Sequence, residues 1–126
     1  MADDGSNYDD DEVLTGYIWC NYVNLLTPDE WRVHLALVGD AKARHSSPTM
    51  GRFIKEKMGS IDDPNIAPML ADGEDAFLIR VRNRILTECS DKVFVNRCSQ
   101  CERIVRTPLA QQCLWCGHDW HTQTEQ

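Results

Sequence analysis

At 126 residues the chain is long enough for one domain, or for a helical body with a small metal-stapled appendage that could not bury enough surface alone. Its formal net charge is −7, but Asp3, Asp4, Asp9, Asp10, Asp11 and Glu12 crowd the first twelve residues, and from Val13 onward fourteen acids face thirteen Lys and Arg. A body so near neutrality argues against strong non-specific binding to nucleic acid or to an anionic membrane. The acidic N-terminus carries no export pattern, and no apolar run reaches membrane-spanning length. With six cysteines, four of them in C-x-x-C pairs, the expectation is a soluble cytoplasmic protein in a reducing compartment, where such pairs mean metal more often than disulfide.

Residues 1–12 have one aromatic and almost no aliphatic side chains, so they read as a disordered acidic tail. From Val13 to Leu26 apolar residues fall in adjacent pairs at helix spacing: Val13/Leu14, Tyr17/Ile18 and Leu25/Leu26. Thr27-Pro28-Asp29-Glu30 then combines a cap, a proline for the first helical position and a glutamate able to reach back to the cap. Trp31, Leu35, Val38 and Lys42 share one face of the helix that follows. Ser47-Pro48 starts a third helix with apolar positions Met50, Phe53, Ile54 and Met58, and Gly59 ends it. Asp63-Pro64 opens a short helix closed by Gly73, and Glu74-Asp75 opens a last one striped by Phe77, Leu78, Val81, Ile85 and Cys89. Cys20 and Cys89 lie on or near apolar faces and read as small buried hydrophobes. Val93-Phe94-Val95 and Ile104-Val105 have strand composition. The fold class expected is mainly α, four to five short helices, with a small C-terminal β zinc ribbon: a tail at 1–12, a body at 13–91 and a ribbon at 92–126.

The strongest signal is C-x2-C-x11-C-x2-C, formed by Cys98, Cys101, Cys113 and Cys116. Two residues between paired cysteines let both sulfurs face one ion, and eleven between the pairs allow a short hairpin, so four thiolates can close a tetrahedron around one Zn²⁺. A closed set leaves no position for water or substrate, which makes the metal structural. It is worth an apparent ~10–16 kcal/mol at neutral pH, more than a two-stranded ribbon supplies by packing. His118 and His121 are alternative ligands, read as surface or supporting groups because four cysteines already fill the tetrahedron.

With its flanking strand candidates and the Cys-Gly step at 116–117, this segment resembles a short four-cysteine zinc ribbon over about a fifth of the chain. The resemblance implies the same four cysteines as ligands. A helical body followed by VFVNRC…RTP…QCLWCGHDWH also looks like bacterial proteins that end in such a ribbon.

No Ser-His-Asp, paired-carboxylate or phosphate-loop arrangement is visible, so no enzyme is expected. Arg80, Arg82, Arg84, Lys92, Arg97, Arg103 and Arg106 outweigh Glu88, Asp91 and Glu102 by +4. Arg97, Arg103 and Arg106 with Trp115 and Trp120 form a candidate binding surface, since arginine beside exposed aromatic rings can hold nucleic acid. The plainer reading is that Arg97 and Arg103 offset the zinc site, the tryptophans pack the ribbon, and Arg80 to Arg84 are a solvated face. The function expected is a zinc-stapled module that binds another protein; the alternative is a nucleic-acid-binding regulator using the basic ribbon face.

Overall fold

The computed structural model describes residues 8–120. Four α-helices follow in order: α1 (Asp10–Asn21), α2 (Pro28–Arg44), α3 (Pro48–Met58) and α4 (Glu74–Glu88), with 3₁₀ turns at Val23–Leu25, Ala67–Leu70 and Ser90–Lys92. Among the described residues the only β pairings are the isolated bridges Arg97–Ile104 and Gln112–Asp119. The protein is thus mainly helical with little strand, and the cysteine segment closes it. No helix among the described residues is long and apolar enough to cross a membrane. The chain divides into two compact units, Asn24–Arg84 and the residues up to Val23 together with those from Ile85 on.

In the unit Asn24–Arg84, the start of α2 forms as its sequence dictates. Thr27 Oγ1 accepts from the Glu30 N–H (3.1 Å) while Glu30 Oε1 accepts from the Thr27 N–H (2.9 Å), a reciprocal capping box. Glu30 does more than cap. Arg84 Nε donates to Glu30 Oε2 (2.6 Å) and Arg84 Nη2 to Oε1 (2.7 Å), and Nη2 also reaches the Leu25 carbonyl (2.9 Å). With side chains 9 % and 20 % exposed, the pair is partly desolvated and hydrogen-bonded on both carboxylate oxygens. Such a pair is costly to break from one side.

α2 buries Glu30, Val33, Ala36 and Gly39, so the face led by Trp31 is not the inner one, and Trp31 is exposed. The reason is α3. A Cβ on Gly39 would lie 2.9 Å from Met58 Cβ and 3.6 Å from Ile54 Cγ2, and one on Gly51 would lie 3.5 Å from the Ala43 carbonyl oxygen. Small residues on both helices permit a close crossing, which the bulkier Trp31 stripe could not. Of the four residues expected as one apolar stripe, Ile54 and Met58 face α2, but Met50 and Phe53 are exposed, and Lys57 Nζ sits 5.6 Å from the Phe53 ring centroid. The segment after Asp63-Pro64 is a turn and a 3₁₀ helix beginning only at Ala67. Asp63 Oδ1 accepts from the Asn65 N–H (2.8 Å), a local bond that holds the turn.

The other unit contains α1. Asp9 is its N-cap, accepting from the Glu12 N–H (3.1 Å), and Asp10, Asp11 and Glu12 form its acidic first turn. The stretch expected as an acidic tail therefore overlaps this helix; residues 1–7 lie outside the described part. α1 buries Tyr17 and Ile18. Cys20 is exposed and Cys89 partly so, which corrects the expectation of two buried cysteines. Val93-Phe94-Val95 joins no strand. Its backbone partners are phenols: Tyr17 Oη donates to the Phe94 carbonyl and accepts from the Asn96 N–H (3.2 Å), and Tyr22 Oη accepts from the Phe94 N–H (3.0 Å).

Replacing Glu30 with alanine should lower unfolding stability by about 3 kcal/mol, because it strands a partly buried guanidinium and opens the cap. Glu30→Gln, which keeps an acceptor for the Thr27 N–H, should cost less. Urea denaturation of the two variants and the parent measures the order; since both variants lose the carboxylate charge, equal costs would remove the capping acceptor from the account and leave the ion pair as the whole effect.

Candidate metal centre

Each cysteine pair sits on a tight backbone turn. Cys98 N–H donates to the Arg103 carbonyl (2.9 Å) and Glu102 N–H to the Cys98 carbonyl (2.8 Å). Fifteen residues on, Cys113 N–H donates to the His118 carbonyl (2.8 Å) and Gly117 N–H to the Cys113 carbonyl (2.9 Å). The bridges Arg97–Ile104 and Gln112–Asp119 keep the same offset, as do the bonds from Val105 N–H to Asn96 and from Trp120 N–H to Gln111, both 2.9 Å. Residues 96–105 and 111–120 thus repeat one turn. The two cysteines are the only residue types the copies share at equivalent positions.

The shared turn requires a left-handed residue after its second cysteine. Gly117 meets that with φ +84°, and Glu102 adopts φ +65° at the equivalent place, the only non-glycine residue at positive φ among those described. A β-carbon there costs roughly 1–2 kcal/mol. The substitution at 102 is therefore tolerated at a cost in strain.

The two turns bring the four sulfurs together. All four Sγ atoms lie within 4.8 Å of one another, with Cys98–Cys116 and Cys101–Cys113 each at 3.6 Å. A tetrahedral ion with metal–sulfur bonds of ~2.3 Å places its sulfurs ~3.8 Å apart, so the cluster fits a single ion. No disulfide joins them. Cys98 and Cys113 are buried, Cys101 is half-buried and Cys116 exposed. These four cysteines, found together as the sequence predicted, could hold a metal ion in a structural role. His118 is not part of the cluster; its ring faces Trp120 at 5.4 Å. His121 lies outside the described residues.

Main-chain donors are aimed at the sulfurs. Gln100 N–H points at Cys98 Sγ and Trp115 N–H at Cys113 Sγ, both 3.3 Å, and the amides of Arg103 and His118 serve Cys101 and Cys116. At Cys98 burial raises the thiol pKa, but the N–H groups of Cys101 and Gln100, together with hydrogen bonds from the Cys116 and Cys101 thiols, outweigh it and hold the group down to about 7. At Cys101 burial dominates and pushes the thiol up to about 12. Cys116 is also raised, the His118 amide being outweighed by desolvation and by the neighbouring sulfurs. Four thiolates this close repel, and only a cation lets all of them ionise.

Supporting residues come from distant parts of the chain. Val105 is buried beside Cys98 and Cys113, with Ala110, Trp115 and Trp120 packed around them. Trp115 Nε1 donates to the Ile104 carbonyl (3.1 Å). Asn96 Nδ2 reaches the carbonyls of Thr107 (3.0 Å), Pro108 (3.3 Å) and Ala110 (3.0 Å), tying down the linker between the pairs. Asn21 Nδ2 donates to the Arg106 carbonyl (3.1 Å). Nothing in the sequence marked either asparagine, because their partners are main-chain oxygens that no pattern encodes.

Comparison with protein-family models, curated proteins and solved structures gave no match. The resemblance to bacterial proteins with a helical body and a ribbon thus rests on the order of segments alone.

The candidate binding surface is only partly assembled. Arg97 Nη1 and Nη2 hold the Asp10 carboxylate at 2.9 and 3.1 Å, and Nη1 also reaches the Glu102 carbonyl (2.9 Å). Arg103 lies 5.3 Å from the Tyr8 ring centroid and 5.8 Å from that of Trp115. Arg97, Arg103 and Trp115 therefore meet around Tyr8 and Asp10. Arg106 is exposed, its guanidinium without an ion pair among the described residues, and Trp120 faces His118. Of the α4 arginines expected to form a solvated face, Arg80 is exposed but Arg82 and Arg84 are not. Arg80 holds Asp72 (2.8 Å) and the Met69 carbonyl (2.7 Å), Arg82 is buried, and Arg84 holds Glu30.

Protons and metal must compete for this site. With Cys101 and Cys116 raised, binding one divalent ion near pH 7.5 should release at least two protons, while Cys98, held at about 7, competes only as the pH falls below neutrality. Affinity should therefore drop about 100-fold or more per pH unit on acidification. Metal titration against a chromophoric chelator at several pH values measures the slope; a pH-independent affinity would contradict it. Glu102→Gly should stabilise the loaded protein by about 1 kcal/mol and Gly117→Ala should destabilise it by a similar amount. Thermal melts at fixed metal give both signs.

Proposed function

We propose that Cys98, Cys101, Cys113 and Cys116 hold one structural Zn²⁺ as a short zinc ribbon, and that the chain is a non-catalytic module that binds another protein. The donor set supports zinc: four thiolates in tetrahedral array suit a d¹⁰ ion without geometric preference of its own. Once four sulfurs are bound no position remains for a reacting water, so the ion supplies rigidity. Six unpaired thiols, two of them outside the cluster, fit a reducing cytoplasmic setting.

The observation that carries the protein-binding reading is apolar exposure beside this rigid centre. Leu109, between the cysteine pairs, is 88 % exposed, and Leu114, inside the second pair, is 63 % exposed. Ribbon backbone fixed by metal offers such side chains at little further entropic cost, which favours their use as contact groups. Purified protein should carry about one zinc per chain. A tagged chain should retain a stoichiometric partner that Leu109→Ser and Leu114→Ser release without loss of metal. Protein that neither carries zinc nor binds it on titration would end the metal reading, and a partner indifferent to both leucines would end the proposed contact.

Nucleic-acid binding remains the second reading, and Arg106 is what favours it, an exposed guanidinium without an ion pair among the described residues. Strands using the same face would have to displace Asp10 from Arg97. Affinity for single-stranded or duplex nucleic acid that collapses with salt and with Arg106→Ala supports this reading; no binding at low salt sinks it.

A further inference from the structure

Tyr8 and Asp10 occupy the cysteine turns in the way a bound peptide would. The Tyr8 hydroxyl accepts from the Ile104 N–H (3.1 Å) and donates to the Asp10 carboxylate. The Tyr8 ring meets Trp115 edge-on, 4.8 Å between centroids at 84°, with Arg103 over both rings. Asp10 takes the guanidinium fork of Arg97 through both carboxylate oxygens. Each contact reads a different chemical feature: an aromatic body, a phenolic oxygen, and a carboxylate two residues on.

The ion pair among these contacts is open to water. The side chains of Arg97 and Asp10 are 43 % and 52 % exposed, and an ion pair that open to water contributes little. Hydrogen bonding to Arg97 and to Tyr8 lowers the Asp10 carboxyl pKa, so at neutral pH the arm stays charged and engaged. What keeps it seated is its place at the start of α1, which is docked through Tyr17 on Phe94 and Asn96; such intramolecular placement acts as an effective concentration in the millimolar range. A separate chain of matching chemistry and a few more contacts can therefore compete.

We infer that Arg97, Arg103 and Trp115 form a recognition site for an acidic peptide that carries tyrosine two positions before a carboxylate, and that the chain's own Tyr8–Asp10 is its resident competitor. The inference rests on the protein-binding reading above and supplies the chemistry of the partner. Geometry favours peptide over nucleic acid. A base needs an open ring face to stack on, whereas Trp115 receives Tyr8 at its edge or face perpendicular to it and has Arg103 above it; a bidentate fork on a planar carboxylate is likewise the match Arg97 makes. The acids at positions 9, 11 and 12 add the negative field that such a basic, aromatic slot would select for in a partner.

The test needs only the purified, metal-loaded chain and a labelled peptide of the sequence DGSNYDDDE, read by fluorescence anisotropy. Removing the resident arm with Tyr8→Ala and Asp10→Ala, while Asp9 still caps α1, should tighten peptide binding by about tenfold or more. Adding Arg97→Ala to that background should reverse the gain, and a peptide with alanine for tyrosine should fail to bind. Equal binding by parent and double variant, equal binding of the alanine peptide, or displacement by oligothymidylate as readily as by unlabelled peptide would each overturn the proposal. If the double variant loses metal, the parent answers alone: at millimolar peptide the Ile104 amide resonance should shift, and its constancy would refute competition for the slot. Leu109 and Leu114 play no part in this assay, so failure here leaves the leucine contact standing, and failure there leaves this site standing.

Discussion

Four sulfurs held within 4.8 Å of one another set the terms for the C-terminal segment. As thiols they fill a small half-buried volume; as thiolates they repel, and the turns can carry them only with a cation between them. The backbone is arranged for the ionised state before any ion is considered. Each sulfur has a main-chain N–H directed at it, and at Cys98 those amides, with the neighbouring thiols, already overcome the cost of burial. Cys101 goes the other way because burial is the larger effect there. With Cys98 lowered and Cys101 and Cys116 raised, ion binding at this cluster is inseparable from proton loss.

Turns of this kind bury too little to stand by themselves, and the protein answers with side chains where a sheet would use paired strands. Tyr17 and Tyr22 of the α1 segment take up the polar groups of Phe94 and Asn96, and Asn96 in turn gathers three carbonyls of the linker. A phenol can donate and accept at once, so a helix can satisfy an extended backbone without a ladder. This explains why β-branched and aromatic residues at 93–95 gave strand composition without a strand. It also explains why residues up to Val23 group with those from Ile85 on, although half the chain separates them.

What the sequence made legible was local. Thr27 with Glu30, Ser47 with Pro48, and Gly59 fixed helix ends because a cap and its hydrogen-bond partner lie within four residues. The four cysteines were legible for the same reason, each pair being a local turn. Legibility stopped where a residue's role depends on something remote. Glu30 was visible as a cap, but its bond to Arg84 spans 54 positions. Trp31 led the more apolar stripe of α2, yet Gly39 and Gly51 decided the packed face, since closeness of approach outweighed side-chain area. The fifteen-residue repeat left no trace beyond the cysteines because hydrogen-bonded turns constrain φ and ψ more than residue type, so strongly that Glu102 accepts a left-handed conformation to preserve it.

Charge shows the same limit most clearly. Seven basic residues between Arg80 and Arg106 read as a patch in one dimension, but in three they are divided by what holds them. Arg80 and Arg84 are spent on Asp72 and Glu30, Arg82 is buried, and Arg97 is neutralised by a carboxylate 87 positions away. A guanidinium already forked onto a carboxylate contributes little field to an incoming polyanion, since displacing the carboxylate returns most of what the new contact gains. The positive potential left for a partner is therefore much smaller than the count suggests, and access to Arg97 is governed by whatever moves Asp10. That makes Asp10, in the first turn of α1, part of the same electrostatic unit as the cysteine turns: it is the group whose position decides whether Arg97 is available.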